Sequence, residues 1–419
     1  MTAPVAADAQ DNWWGADRAT LVRVMADQLH GELCRLRLGD PDTAPPWLWT
    51  DDTDMARSAG LAIDSLDRMA LAAAAAELIP GCSLGPGLMS AASFGAWCDA
   101  ARDATRPPPT SITFRSSGTT GARRSITHRL ARLDAEASAL AMLIGSGRRR
   151  VLSAIPAHHI YGFIHSVLLP SQLGRAGGAL LPVVELRGHA PSELAGLLRP
   201  GDLVLGHPAF WTQSLRGAAG GFPEDVVGIT SSAPCPEALA EALREAGLAR
   251  LLQIYGASET GGIGWRDAPG APYVLLPGWQ RDADGLSWAG QPVEPPDRLA
   301  WESQDGFRVL GRHDGMVQVG GVNVDPAAVR LALLEHPAVS EIAVRLMRPE
   351  EGARLKAFVV PRQAGGEVAG LRAELRQFAA TRLAPGERPG AYSFGTALPR
   401  NLLGKLSDWV VDEPGGLLP

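Results

Sequence analysis

Residues 114–124 combine glycines, hydroxyls and cations in a way that suits phosphate binding. They read Phe-Arg-Ser-Ser-Gly-Thr-Thr-Gly-Ala-Arg-Arg and follow the β-prone residues Ile112 and Thr113. Glycines let backbone N–H groups approach an anion, hydroxyls add rotatable donors, and a guanidinium can hold phosphate oxygens with two donors. No Gly-Lys-Ser/Thr closes the loop, so it is not a Walker loop. The alternative is an ordinary surface hairpin, because these residue types are common in turns.

A second run places polar side chains at the end of a predicted strand. Residues 253–262 read Gln-Ile-Tyr-Gly-Ala-Ser-Glu-Thr-Gly-Gly, with an aromatic ring, a hydroxyl and a carboxylate after apolar residues. In open α/β sheets, ligands bind beyond the carboxyl ends of the strands. The sequence therefore predicts a ligand site here, and the alternative is a turn that carries a solvated glutamate.

Two later runs complete a series that resembles a known family. Residues 311–326 contain Gly-Arg-His-Asp and Val-Gly-Gly-Val-Asn-Val-Asp-Pro, and residues 398–406 read Leu-Pro-Arg-Asn-Leu-Leu-Gly-Lys-Leu. In this order, the four runs resemble the acyl-adenylate-forming (ANL) superfamily over about residues 106–419. That family includes acyl-CoA synthetases, peptide-synthetase adenylation domains and luciferases. The resemblance implies ATP-dependent activation of a carboxylic acid as acyl-AMP, followed by transfer to a pantetheine thiol.

The resemblance also implies a role for each matching residue. The catalytic groups would be Lys405, Glu259 as the Mg²⁺ ligand, and Arg124, which stands where the family usually has lysine. Asp314 would be the hinge of a mobile lid. The remaining positions would bind the nucleotide: Ser116, Ser117, Gly118, Thr119, Thr120, Gly121, Tyr255, Gly256, Ser258, Asp297 and Arg312. Among them, Tyr255 would stack on adenine, and Asp297 and Arg312 would bind ribose. A solvated surface lysine is the alternative for Lys405.

Weaker similarities point to the acid substrate. Residues 156–162 resemble the acyl-pocket segment of aryl-CoA ligases, and the implied pocket positions are His159, Tyr161, Ser232, Ala233 and Gly261. The whole is most similar to short aryl ligases that load hydroxybenzoate-type acids onto acyl carrier proteins in xanthomonadin and aryl-polyene pigment pathways. This predicts a small aryl acid as substrate and an acyl carrier protein as partner. The alternatives are an aryl- or acyl-CoA ligase, and a non-catalytic adenylate-binding or carrier-docking protein.

The front of the chain resembles a carrier. Spaced apolar residues predict a helix over residues 17–36, and Asp64-Ser65-Leu66 is similar to the acyl-carrier-protein signature in which serine bears phosphopantetheine. Either Asp64 or Ser65 could instead cap the next helix. We expect Ser65 to stay unmodified and the front to act as a docking or structural cap. Only 115 residues precede Ser116, fewer than in full-length family members.

The elements that must position these residues indicate an α/β fold. Apolar runs at residues 151–155, 179–183, 203–205, 227–230 and 250–254 alternate with helical segments, which predicts a mainly parallel sheet with helices on both faces. From Gly311 onward, predicted strands over 316–324, 341–347 and 354–361 and predicted helices over 326–336 and 368–383 indicate a small α+β domain. We therefore expect a helical carrier-like region over 1–105, a truncated ANL core over 106–312 and a mobile lid over 313–419.

Composition narrows the function further. The 419 residues carry a net charge of −6, with 46% hydrophobic and 20% charged residues, which is typical of a globular protein and disfavours a nucleic-acid partner. Neither an uninterrupted apolar span for a membrane nor a secretory signal is visible. The four cysteines lack metal-binding or redox spacing, so we expect reduced thiols and a cytoplasmic protein.

Overall fold

The computed structural model describes residues 17–37, 43–55, 61–79, 86–103, 108–115, 125–282, 285–313, 315–348, 351–362, 368–399 and 406–411. These residues form two compact units. The first contains the described residues up to Arg115 together with Ser125–Val293, and the second contains those from Glu294 onward. Contacts thus group the predicted helical front with most of the predicted core. The division into three functional domains remains a prediction.

A parallel sheet forms the centre of the first unit. Its strands are β3 (Arg150–Ser153), β4 (Val183–Glu185), β5 (Asp202–Gly206), β6 (Val227–Thr230) and β7 (Arg250–Ala257), in the order β4-β3-β5-β6-β7. Two antiparallel strands continue it beyond β7, namely β8 (Gly261–Arg266) and β9 (Tyr273–Leu275). Every residue of β5 and β6 is buried, as expected for parallel strands covered on both faces. The predicted α/β class is therefore confirmed.

Smaller strands and helices surround this sheet. The hairpin β1 (Ser111–Arg115) and β2 (Ser125–Arg129) precedes it, and β10 (Trp279–Asp282), β11 (Gly285–Trp288) and β12 (Gln291–Pro292) follow it. The α-helices that follow β2 in this unit are Leu130–Ile144, Ile160–Phe163, Leu169–Gly174, Leu194–Leu197, Pro208–Ser214 and Glu237–Glu245. Strand β4 begins later than predicted, because Pro182 interrupts the apolar run and has no N–H for a ladder.

In the part of the chain that the structure describes, four α-helices precede β1: Arg18–Leu36, Ser65–Leu78, Pro86–Ser90 and Phe94–Asp103. The first confirms the helix predicted over residues 17–36. Its N-cap is Asp17, whose carboxylate accepts hydrogen bonds from the N–H groups of Ala19 and Thr20. No helix among the described residues is both long and apolar enough to cross a membrane.

The second unit is a small α+β assembly. Its strands are β13 (Asp297–Trp301), β14 (Gly306–Arg312), β15 (Val317–Val319), β16 (Val322–Val324), β17 (Val339–Leu346), β18 (Leu355–Pro361) and β19 (Ala391–Phe394). The helices Pro326–Leu334 and Val368–Arg382 confirm the two that the sequence predicted. The single strand predicted over 316–324 is wrong, because Gly320 and Gly321 have φ values of 59° and 83° and turn the chain into the hairpin β15–β16.

Candidate active site

Three of the predicted site segments follow parallel strands at one edge of the sheet. The acid-pocket segment, residues 156–162, follows β3, and Ser232 lies just after β6. Tyr255 lies near the end of β7. These strands run parallel in register, so their carboxyl ends share one edge of the sheet. That edge is where α/β sheets bind ligands, and the structure therefore brings the predicted acid and adenine segments together.

The β7–β8 hairpin holds the predicted adenine residues. Tyr255 is half-buried and pairs with Gly264 across the hairpin, and its ring centroid lies 5.7 Å from that of Tyr273. At Gly256, a Cβ atom would lie 2.1 Å from the carbonyl oxygen of Gly261, so only glycine fits. The hairpin therefore fixes the direction in which the Tyr255 backbone leaves the sheet.

The tip of the same hairpin carries Ser258 and Glu259. The Thr260 N–H donates to the Ala257 carbonyl at 3.1 Å and closes the turn. A ring nitrogen of His128, on β2, donates to the Ser258 carbonyl at 2.8 Å, and burial lowers the pKa of this histidine. Glu259 is exposed. The tip is thus tied to the strand that follows the predicted phosphate loop.

Among the described residues, no group of three or more His, Cys, Asp or Glu side chains could hold a metal ion on its own. A lone exposed carboxylate at Glu259 nevertheless fits Mg²⁺, which usually takes one or two protein carboxylates and completes its shell with phosphate oxygens and water.

A buried carboxyl group lies beneath the glycines of this hairpin. Both oxygens of Glu136 lie 3.0 Å from the N–H nitrogen of Gly262, and a Cβ on Gly261 would lie 2.7 Å from one of them. Burial raises the pKa of Glu136 to about 8, against the opposing effects of the Gly262 N–H and Arg132. The indole N–H of Trp279 donates to the Gly262 carbonyl at 2.7 Å. The sequence motifs did not single out Glu136, although a charged residue among the apolar residues of the helix Leu130–Ile144 was a visible signal.

The predicted phosphate loop, residues 116–124, lies outside the described residues, and with it the predicted roles of Ser116 to Gly121 and of Arg124. Its flanks are described, and Arg115 pairs with Ser125 in register across the β1–β2 hairpin. The Arg115 guanidinium donates to Glu32 at 2.7 Å and to Glu77 at 2.8 Å. Two helices of the front region therefore hold the base of this loop.

The two predicted residues of the acid-pocket segment differ in burial. His159 is exposed and is the N-cap residue of the helix Ile160–Phe163. Tyr161 is buried, and its hydroxyl donates to the carbonyl of Gly206 at 2.9 Å, with that of Ile229 at 3.2 Å. The Tyr161 proton is thus committed to the backbone, whereas the His159 side chain lies at the surface.

The loop after β6 carries Ser232 and Ala233. Ser232 is exposed and has a φ of 73°, a left-handed conformation that is uncommon for serine. The neighbouring Ser231 hydroxyl donates to the Ile254 carbonyl at 2.8 Å and ties the loop to β7. Backbone strain of this kind is often found at ligand sites, which is consistent with the predicted position beside the acid.

The predicted ribose residues belong to the second unit. Asp297 and Arg312 stand directly opposite each other in the antiparallel pair β13–β14. Opposite charges at such positions favour each other, so the structure brings these two predicted residues together. The predicted hinge residue Asp314 lies outside the described residues.

Lys405 also lies outside the described residues, but the segment directly after it is anchored. Arg345 donates to the Leu406 carbonyl at 2.9 Å, and Arg348 donates to Asp408 at 2.6 Å. The fully buried Lys356 ammonium lies 3.0 Å from the Asp408 carboxylate. Residues 406–411 are therefore fixed to the sheet of the second unit.

The possible carrier serine lies at the start of a helix. Ser65 is the first residue of Ser65–Leu78 and is exposed, and the N-cap is Asp64, whose carboxylate accepts the Asp67 N–H at 2.8 Å. Capping by Asp64 is confirmed. Modification of Ser65 stays a prediction.

Comparison with known proteins decides the family. Residues 91–293 match the AMP-binding enzyme family, and residues 331–405 match the AMP-binding enzyme C-terminal domain. A 4-coumarate–CoA ligase of Halorhodospira halophila is 37% identical over 402 residues, which cover 94% of this chain and 99% of the relative. The chain belongs to the AMP-binding enzyme family. It is an AMP-forming acid–thiol ligase, as the sequence predicted.

Further relatives carry the same printed name. A 4-coumarate–CoA ligase of Cereibacter sphaeroides is 41% identical over 305 residues, covering 72% of this chain and 71% of the relative, and one of Rhodobacter capsulatus is 41% identical over 310 residues, covering 73% and 77%. These names support the alternative of a CoA ligase better than the predicted carrier-protein ligase of pigment pathways.

Solved structures support the fold. An o-succinylbenzoate CoA synthetase from Bacillus subtilis aligns with a TM-score of 0.58 at 19% identity, covering 93% of this chain and 92% of its own. An amide bond synthetase from Marinactinospora thermotolerans aligns with a TM-score of 0.58 at 18% identity, covering 93% of each chain. Similarity at this level concerns the fold alone.

Proposed function

We propose that the protein is a CoA ligase for a small hydroxylated aryl acid of the 4-coumarate type. The observation that carries this proposal is the match to a relative named 4-coumarate–CoA ligase over 99% of that relative's length. The match covers 94% of this chain, so it includes the front region, the sheet and the C-terminal unit.

The proposed reaction has two steps. In the first, a carboxylate oxygen of the acid attacks the α-phosphorus of ATP, and pyrophosphate leaves as the P–O bond breaks. In the second, the CoA thiolate attacks the acyl carbon, and AMP leaves as the C–O bond breaks. A thiolate is the competent nucleophile, because the protonated thiol is a weak one.

In the first step, charge has to be neutralised around the phosphates. Glu259 would hold Mg²⁺, whose role is to offset phosphate charge. Arg124 and Lys405 would add positive charge near the reacting phosphate, where negative charge gathers during displacement. The hydroxyls and N–H groups of the phosphate loop would hold the remaining oxygens. Support for these roles comes from the matching motifs, and from Glu259 lying at the ligand edge of the sheet.

The acid-pocket segment favours a hydroxylated aryl acid. Gly261 and Gly262 bring no side chain to the edge of the sheet, and the Glu136 carboxyl group occupies the space where their Cβ atoms would lie. His159 is exposed and is the residue of this segment that we assign to a ring hydroxyl of the acid, whereas the proton of Tyr161 is committed to Gly206. A site built to bond a hydroxyl rejects analogues that lack it by a large factor.

A panel of acids in ATP–pyrophosphate exchange tests the acid. We expect 4-coumarate and hydroxybenzoates to give exchange, cinnamate to give less, and medium-chain fatty acids to give little. Faster exchange with the fatty acids would contradict an aryl pocket.

The acceptor is a separate part of the proposal. Packing of the front helices against the core favours a structural role for residues 17–103 over that of a carrier. Mass measurement after incubation with CoA and a phosphopantetheinyl transferase tests this, because a gain of one pantetheine that disappears in Ser65→Ala would establish a carrier in cis. Free thiols at Cys34, Cys98 and Cys235 fit the cytoplasmic location that forms part of this proposal.

A further inference from the structure

Two charged residues on one face of the first helix contact residues 157–168, a segment that begins in the acid pocket and continues beyond it. Arg23 and Asp27 are four residues apart on Arg18–Leu36, so their side chains lie on the same side of the helix. One contacts the beginning of residues 157–168 and the other contacts its end. This segment contains His159 and Tyr161.

Asp27 holds the beginning of the segment. One carboxylate oxygen of Asp27 accepts the Ala157 N–H at 2.6 Å, and both residues are buried. The other oxygen lies 2.8 Å from the Arg187 guanidinium. Because a buried carboxylate is costly unless it is paired, this double pairing fixes Asp27 and the Ala157 backbone together.

Arg187, the ion-pair partner of Asp27, is held in place by two further residues. Arg187 donates to both oxygens of Glu185, at 2.7 and 2.6 Å, and its guanidinium stacks 5.4 Å from the ring centroid of Trp47. A two-donor contact of this kind restricts the guanidinium more than a single ion pair does. Asp27 is therefore held by a rigid neighbour.

Arg23 holds the end of the segment. Its guanidinium donates to the Ser166 hydroxyl at 2.7 Å and to the Ser166 carbonyl at 2.6 Å. Ser166 is fully buried within the π-helix Ile164–Leu168, an element often found at functional sites. Within this irregular helix, the Ser166 carbonyl thus has a hydrogen-bond donor in Arg23.

We propose that Arg23 and Asp27 are positioning residues, through which the first helix fixes the acid-pocket turn for its carboxylic acid substrate. This inference rests on the proposed function. The front region would thereby form the outer support of the acid site.

Asp27→Ala and Asp27→Asn test the proposal through the separate KM values for acid and ATP. A hydrogen bond to a charged group contributes about 1.5–3 kcal/mol, so Asp27→Ala should raise the KM for the acid about tenfold to a hundredfold. Asp27→Asn keeps an acceptor for Ala157 and should raise it less. The KM for ATP should stay within about twofold in both variants.

Asp67→Asn is a matched control. Asp67 forms an ion pair at 3.0 Å with Arg37, the residue that directly follows the first helix. No described hydrogen bond or ion pair joins Asp67 to the acid-pocket segment. This variant should leave both KM values unchanged. An unchanged acid KM in folded Asp27→Ala, or equal rises for acid and ATP, would overturn the positioning role. Failure of the unaltered protein to activate any acid would instead reject the proposed function.

If Asp27→Ala does not fold, two other measurements test the same proposal: the acid KM of Ser166→Ala and amide hydrogen exchange in Asp27→Asn. Ser166→Ala removes one contact of Arg23 with little change in volume, and should raise the acid KM about twofold to fivefold. In Asp27→Asn, amide exchange should accelerate at residues 157–162 and not at β7. Unchanged exchange at residues 157–162 would show that Asp27 does not hold this turn.

Discussion

Glu136→Gln should remove a pH dependence of stability from the protein. The Glu136 side chain is 5% exposed and lies against the backbone of Gly261 and Gly262. Burial raises its pKa from 4.5 to about 8, and the Gly262 N–H and Arg132 oppose that rise only in part. At neutral pH, the carboxyl group is therefore protonated in the folded protein and ionised in the unfolded chain.

The sign and size of the effect follow from this difference. Between the ordinary and the raised pKa, the folded state binds one proton more than the unfolded state, so the free energy of unfolding falls as pH rises. The slope is about 1.4 kcal/mol per pH unit, and integration from pH 5 to pH 7 gives a loss of about 2.5 kcal/mol. This stability is fully present below pH 4.5 and is lost as pH approaches 8. Glutamine keeps an acceptor for the Gly262 N–H and cannot ionise.

Urea denaturation at several pH values measures this effect. The free energy of unfolding of Glu136→Gln, minus that of the unaltered protein, should increase by about 2.5 kcal/mol between pH 5 and pH 7. Tryptophan fluorescence follows the unfolding, and the eleven tryptophans that contribute to it include Trp279, which donates to the Gly262 carbonyl. Glu241→Gln, at an exposed position of the helix Glu237–Glu245, is the control and should show no such trend. Parallel pH profiles for all three proteins would refute the assignment of a protonated Glu136.

Three further perturbations test the site and the packing of the second unit. Lys405→Ala should abolish pyrophosphate exchange while ATP binding, measured by calorimetry, persists, because the lysine acts on charge that develops during the reaction; near-normal acyl-AMP formation would show that the closing motif is misassigned. Glu259→Gln should raise the Mg²⁺ concentration needed for half-maximal exchange, since an amide oxygen is a weaker ligand than a carboxylate, and an identical Mg²⁺ titration would remove Glu259 from the metal site. Lys356→Met should destabilise the second unit by about 3 kcal/mol, because it leaves the Asp408 and Glu351 carboxylates without their buried ammonium; a urea midpoint equal to that of the unaltered protein would contradict this.

Local sequence patterns predicted several of the helices and strands. Spaced apolar residues predicted the helix found at Arg18–Leu36, and buried apolar runs predicted β5 and β6. Where prediction failed, a backbone detail decided the outcome, as at Gly320 and Gly321, where positive φ angles turn one predicted strand into two. The order of the four motifs predicted the family, because the residue types in each motif indicate a chemical role. The spacing of apolar residues indicates only secondary structure.

Partners across the fold could not be predicted in the same way. Glu136 and Asp27 are charged residues on buried helix faces, and their roles depend on Gly262 and Ala157, which lie more than a hundred residues away in sequence. Tyr161 illustrates the converse, because its hydroxyl looked available in sequence but donates to the backbone of β5. Tertiary contacts, rather than residue type, decide which polar groups face a substrate.

The acceptor of the acyl group tests the central claim most directly. Purified protein would be incubated with ATP, Mg²⁺ and 4-coumarate, together with either CoA or a pantetheine-bearing carrier protein, and the thioesters would be measured by chromatography with mass detection. We predict 4-coumaroyl-CoA together with AMP and pyrophosphate, at a rate well above that of carrier loading. Rapid loading of the carrier with little coumaroyl-CoA, or release of no pyrophosphate with any aryl acid, would contradict a CoA ligase of this type.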